Sequence, residues 1–177
     1  MGRWAIVATL LLVGAPTAVF ARASWPEIHD VKEVGGGARD AAIIASAETY
    51  LKVAPVPGAL ANGIAWHTYL VNARRIPAER VVFLRNDEVT AETFLEKLAY
   101  VSRLVKPGGT LWVVFIGHGA PAKDGKDGLL IAIDAQQSVD SIVRRSVRRS
   151  EVLKMAAGSR AARSVVVLDA CFSGRSD

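Results

Sequence analysis

The chain has one cysteine, Cys171, among 177 residues, so it can form no internal disulfide. Exported proteins usually spend cysteines in structural pairs. A lone thiol is instead a small buried apolar residue or one kept for its reactivity. Histidine is nearly as scarce, with only His29, His67 and His118. Three histidines and one cysteine without tight spacing make no convincing metal site, and no metal ligand is expected. Long apolar runs are missing too. The N-terminal run from Trp4 to Val13 is followed by Gly14 and Pro16, and it is short against the roughly 20 residues a spanning helix needs. Arg3 precedes that run and small residues lead to Ala21-Arg22-Ala23, the layout of a secretory signal peptide with a small-x-small cleavage site. Residues 1–23 therefore read as a signal peptide, with cleavage expected over a retained membrane anchor and export to the periplasm or beyond the cell. There is also no stripe of aromatic and basic residues. Twenty-two Lys and Arg face 17 Asp and Glu, a net charge of +5, and the two signs interleave except at Arg144-Arg145 and Arg148-Arg149. That pattern argues against nucleic acid as a partner.

What is present is apolar: 51% of the residues are hydrophobic, which suits one globular domain and excludes a disordered chain. Residues 24–39, with Pro26, scattered charges and Gly35-Gly36-Gly37, read as a flexible leader. Those glycines precede the first strand-like run and lack a Lys-Ser/Thr ending, so they carry little weight as a phosphate loop. Asp40 to Ala47 reads as a buried strand, Tyr50 to Gly58 as a loop with Pro55 and Pro57, and Ala59 to Arg75 as a helix ending in two arginines. A strand over Arg80 to Leu84 follows. Thr90 is placed to cap a helix running to Lys106, which Pro107-Gly108-Gly109 stops. Thr110 to Ile116 is the clearest buried strand and leads into Gly117-His118-Gly119. After an acidic loop around Asp124 to Asp127 come a brief strand, Leu129 to Ile133, and a basic segment that reads as mobile. Ser150 is expected to cap a short helix, Glu151 to Ala157, before the last strand, Ser164 to Leu168. Strands alternating with helices predict an α/β fold with a mostly parallel sheet.

Right-handed crossovers put the C-terminal ends of parallel strands on one rim, where ligands collect. His118 and Cys171 both stand just past such ends, so topology predicts that they meet although they are far apart in sequence. A thiol attacks a carbonyl only as thiolate, and a nearby imidazole can take its proton or serve the leaving amine. Gly119 lets the chain turn sharply and frees an N–H to face a developing oxyanion, and the N–H of Cys171 is a candidate second donor. A histidine in a turn and a cysteine in a core would be the bland account of either residue alone. The paired pattern favours Cys171 as nucleophile and His118 as base.

At these residues the chain resembles the caspase and metacaspase family of cysteine peptidases, in a bacterial form. Gly117-His118-Gly119 after a strand is similar to that family's histidine motif, and Asp169-Ala170-Cys171-Phe172-Ser173-Gly174 to its cysteine motif. The resemblance spans roughly Asp40 to Arg175. It implies a three-layer caspase-like fold over residues 40–177 and an endopeptidase with catalytic His118 and Cys171 and oxyanion donors at Gly119 and Cys171. It also implies that Asp169 lines the specificity pocket, where a buried carboxylate would favour Arg or Lys before the scissile bond. Phe172 departs from the family, standing where many metacaspases have histidine. The family's domain continues past the cysteine motif, so the domain is expected to lack its C-terminal part, as a fragment, a processed subunit awaiting a partner segment that completes the sheet, or a degenerate chain. No cofactor is called for. Calcium, on which metacaspases often depend, is left open, since the Asp124 to Asp127 loop lacks EF-hand spacing. Arg144 to Arg149 would be a candidate self-processing site. The rival reading is a non-catalytic caspase-like module that binds other proteins, and legumain-like or gingipain-like peptidases with the same dyad stay in view.

Overall fold

The structure is a computed structural model that describes residues 32–172. The expected signal peptide, the first half of the leader, and Ser173, Gly174 and Arg175 lie outside the described residues. Four strands, β1 (Ala41–Ser46), β2 (Val81–Arg85), β3 (Thr110–Ile116) and β7 (Arg163–Asp169), form a parallel sheet in the order β2-β1-β3-β7. Every residue of β1 is buried, as a central strand covered on both faces requires. Alternate side chains divide between the faces. Ile44, Val114 and Ile116 pack with Leu70 and Ile76 beneath helix α1 (Ala59–Thr68). Ile43, Val113 and Phe115 pack with Phe94, Leu98 and Val101 of α2 (Ala91–Leu104) and with Val152 and Ala156 of α4 (Arg149–Ala157). The molecule is thus α/β, a mostly parallel sheet flanked by helices.

Local signals account for most of these elements. The Thr90 hydroxyl accepts from the N–H of Thr93 at 3.1 Å and caps α2 as expected. Glu48, beyond the end of β1, caps α1 from outside, accepting from the N–H groups of Gly58 and Leu60 at 3.1 and 3.0 Å. The helix expected over Ala59 to Arg75 ends in a wider turn, Tyr69–Ala73. The described part of the leader is tied down, with N–H groups of Val34, Gly35 and Gly37 bonded to carbonyls of Ala73 and Arg74. Among the described residues no helix is long and apolar enough to cross a membrane.

In the chain segment that joins β3 to β7 a second, antiparallel sheet forms from β4 (Gly119–Pro121), β5 (Gly128–Ile131) and β6 (Ser146–Arg148), in the order β4-β5-β6. Only its middle strand was expected. The basic segment read as mobile is ordered: Arg144 ends α3 (Val139–Arg144), Val147 is buried in β6, and Arg149 opens α4. A protease cleaves most readily where backbone is free of such pairing, so the self-processing expectation loses its loop. Ser150 is inside α4 rather than capping it. Its hydroxyl and N–H both bond to the carboxylate of Asp127, at 2.5 and 3.2 Å, which also accepts from the N–H of Gly128. Burial alone would raise that carboxyl, but these donors and the Arg149 guanidinium hold it below the usual carboxylate range.

Candidate active site

The last rung of the β3–β7 ladder pairs Ile116 with Asp169, and the N–H of Gly117 continues it to the Asp169 carbonyl at 3.1 Å. His118 and Cys171 each stand two residues beyond that rung. Neighbouring strands are about 4.8 Å apart, so the two residues leave the same rim side by side. Direct packing joins the two segments. A Cβ built on Gly119 would fall 2.8 Å from the Cys171 carbonyl oxygen and 3.1 Å from Cε1 of Phe172, an approach only glycine permits. Cys171 is exposed and His118 half-buried.

The loop after β1 holds the imidazole. Nε2 of His118 lies 2.8 Å from the carbonyl oxygen of Ala54. A carbonyl only accepts, so the proton of the neutral ring is on Nε2 and Nδ1 keeps the free lone pair. Ala54 precedes Pro55, which confines it to extended backbone. The buried Tyr50 from the same loop accepts from the N–H of His118 at 2.8 Å, and its ring centroid lies 4.9 Å from the imidazole. Asn86 Oδ1 accepts from the N–H groups of Glu48 and Thr49 and fixes the start of the loop.

The expected oxyanion donor can be traced through the β4–β5 ladder. Gly119 pairs with Leu130, and Ile131 N–H donates to the His118 carbonyl at 3.0 Å. That combination makes Gly119 and Leu130 a non-hydrogen-bonded pair, in which the N–H of Gly119 points away from β5. The ladder therefore does not consume it. Asp169 sits on the same rim, but its side chain is exposed, not buried as a pocket acid would be. One of its oxygens accepts from Nδ2 of Asn62 on α1 at 2.8 Å. His67, by contrast, is stacked on Phe83 at 5.8 Å, and burial ahead of the Arg85 charge lowers its pKa.

Tyr50, the Ala54 carbonyl and Asn62 were not singled out from the sequence. Pro55 and Pro57 marked this loop in the sequence, and Pro55 fixes the backbone of Ala54 before it. Among the described residues no cluster of three or more His, Cys, Asp or Glu side chains is placed to hold a metal ion. No protein-family model matches the chain, and no curated protein matches it.

Tyr50 also predicts a pH effect. Burial, opposed by the His118 N–H, pushes its phenol up to about 12 from an ordinary 10.0. Above about pH 10 the unfolded chain loses this proton while the folded chain keeps it, so the folded state binds more protons and stability falls with rising pH. The contribution is complete below about pH 10 and is lost towards pH 12. Unfolding free energies from urea titrations across that range are expected to fall more steeply in the wild type than in Tyr50→Phe, by up to roughly 2 kcal/mol.

Proposed function

We propose that this chain is an exported cysteine endopeptidase of the caspase and metacaspase type, with a Cys171–His118 dyad and a preference for Arg or Lys before the scissile bond. The observation that carries the reading is the shared rung: His118 and Cys171 extend adjacent parallel strands by the same two residues. The α/β architecture suits a caspase-like fold, and the N-terminal sequence pattern supports export.

In this reading Nδ1 of His118 takes the proton of the Cys171 thiol. The thiolate attacks the peptide carbonyl carbon, a C–S bond forms, and the electron pair of the carbonyl moves to oxygen. The outward N–H of Gly119 and the N–H of Cys171 stabilise that charge. The imidazolium returns its proton to the leaving amine as the C–N bond breaks, giving an acyl-thioenzyme. Water, losing a proton to Nδ1, then attacks the acyl carbon and releases the carboxylic acid and the thiol. Asp169, held by Asn62 through one oxygen, has a second oxygen to offer a guanidinium or ammonium. The exposure of that carboxylate weakens its pull in water but leaves the sign of the preference unchanged.

The test is hydrolysis of fluorogenic peptides ending in Arg, Lys, Asp or Asn by the full-length protein, with and without added calcium. Release after Arg and Lys is the expected result. Release after Asp or Asn keeps the dyad and removes Asp169 from the pocket, and no release from a folded protein in either condition overturns the peptidase. A second reading has an observation of its own. Among the described residues β7 is an edge strand whose Val165 to Leu168 are only half-buried, which suits a caspase-like interaction module, or a subunit, whose sheet a partner segment completes. A folded, inactive protein that forms a complex of defined mass would favour it.

A further inference from the structure

We infer that Tyr50 is a positioning residue for the His118 imidazole, through a hydroxyl that replaces one rung of the β4–β5 ladder. The kinetic part of this inference rests on the peptidase reading. The pairs Gly119–Leu130 and Pro121–Gly128 put His118 opposite Ile131, at a position where an antiparallel ladder exchanges two hydrogen bonds. One is present, from the N–H of Ile131 to the carbonyl of His118 at 3.0 Å. For the other, the Tyr50 hydroxyl stands in between, accepting from the N–H of His118 at 2.8 Å and donating to the carbonyl of Ile131 at 3.3 Å.

The neighbourhood is cut to admit that oxygen. A Cβ on Gly117 would lie 2.6 Å from it. The N–H of Leu51 donates to the Ile133 carbonyl at 3.0 Å and stitches the loop to the chain just past β5. Tyr50 and Ala54 belong to the same short loop, so one element fixes the main chain of His118 through the phenol and its ring through the carbonyl on Nε2. Without the phenolic oxygen, the N–H of His118 and the carbonyl of Ile131 can close the direct rung. That closure draws the main chain of His118 towards β5 and the ring away from Ala54. A ring freed from Ala54 no longer keeps its proton on Nε2, and Nδ1 loses its standing as the base.

Tyr50→Phe keeps the packing ring and removes only the oxygen. The first readout is the ¹⁵N spectrum of the neutral His118 imidazole, recorded on protein that also carries Cys171→Ala and so independent of turnover. The Nε2–H tautomer is expected with Tyr50, and a mixture of tautomers with Tyr50→Phe. The second is kinetic: kcat is expected to fall about tenfold, the worth of one hydrogen bond, with KM little changed. Gly117→Ala, which crowds the hydroxyl while leaving Tyr50 in place, is expected to give the same spectral change and serves if Tyr50→Phe does not fold. An unchanged tautomer in the folded variants overturns the inference even if the protein is an active peptidase. A tautomer change alongside a folded protein with Cys171 intact that cleaves no peptide supports the role of Tyr50 and sinks the peptidase reading instead.

Discussion

Cys171→Ala and His118→Ala are each expected to lower kcat by about 10⁴-fold to 10⁶-fold, and the double variant is expected to lose no more than the worse of the two. The reason is that in the proposed peptidase nucleophile and base form one device. An ordinary thiol, with a pKa near 8.5, is mostly protonated at neutral pH. Removing the imidazole therefore removes the route to the thiolate and the proton for the leaving amine, and removing the sulfur leaves the imidazole nothing to activate. Two independent contributors would multiply their losses in the double variant. The shared rung Ile116–Asp169 is what ties the pair together, since it delivers both residues to one rim at one register position. Because Cys171 is exposed and lies outside the packed core, Cys171→Ala is expected to keep the wild-type urea midpoint, so lost turnover cannot be blamed on unfolding. Steady-state kinetics on the four proteins with an Arg or Lys peptide provides the check. Additive losses in log kcat, or a Cys171→Ala variant that still turns over at the wild-type rate, would remove the dyad.

The parts of this site that were legible in the sequence are those with a period or a punctuation mark. The run Leu111 to Phe115 could only be a strand covered on both faces, and the glycines around His118 marked its end. β7 was legible in the same way, and so was the Thr90 cap. β4 and β6 escaped because a three-residue strand has no room for a period and is defined by the partner it finds. The charges of Arg144 to Arg149 suggested a mobile segment. One buried side chain, Val147, and pairing with β5 decide otherwise.

Partners supplied from a distance were equally hidden. α4 takes the Asp127 carboxylate where Ser150 was expected to serve, because a long-range acceptor met its N-terminus first. The Ala54 carbonyl that fixes the proton of His118 is main chain and leaves no mark except the proline after it. Tyr50 looks in the sequence like any core aromatic, and only its hydroxyl, placed by the meeting of two loops, distinguishes it. The rim position of Asp169 was legible in the sequence, but burial is a property of the finished surface.

At the opposite rim, Asp40→Ala is expected to destabilise the fold by about 3–5 kcal/mol. Asp40 is 2% exposed, at the N-terminal end of β1. Its Oδ1 accepts from the N–H of Thr110 at 2.8 Å, and its Oδ2 accepts from Nε1 of Trp112 at 3.0 Å and Nη2 of Arg74 at 3.2 Å. The Arg74 guanidinium also lies over the Trp112 ring, 5.4 Å from its centroid. An alanine leaves one buried and one part-buried N–H donor without an acceptor and a mostly buried cation without its counter-charge, the arrangement in which breaking a pair costs most. Against the roughly 5–15 kcal/mol that holds a typical domain together, that loss can unfold the chain. Asp40→Asn, which preserves the acceptor for Thr110 but turns a donor towards Trp112 and Arg74, is the variant to measure. Its urea midpoint is expected to drop clearly below the wild-type value while kcat of the folded protein stays within about twofold, since the proposed dyad lies at the other end of the same strands and distant sites behave independently. A fall in kcat as large as that of a dyad variant, at a urea concentration where Asp40→Asn is fully folded, would mean that the two rims are coupled through the sheet.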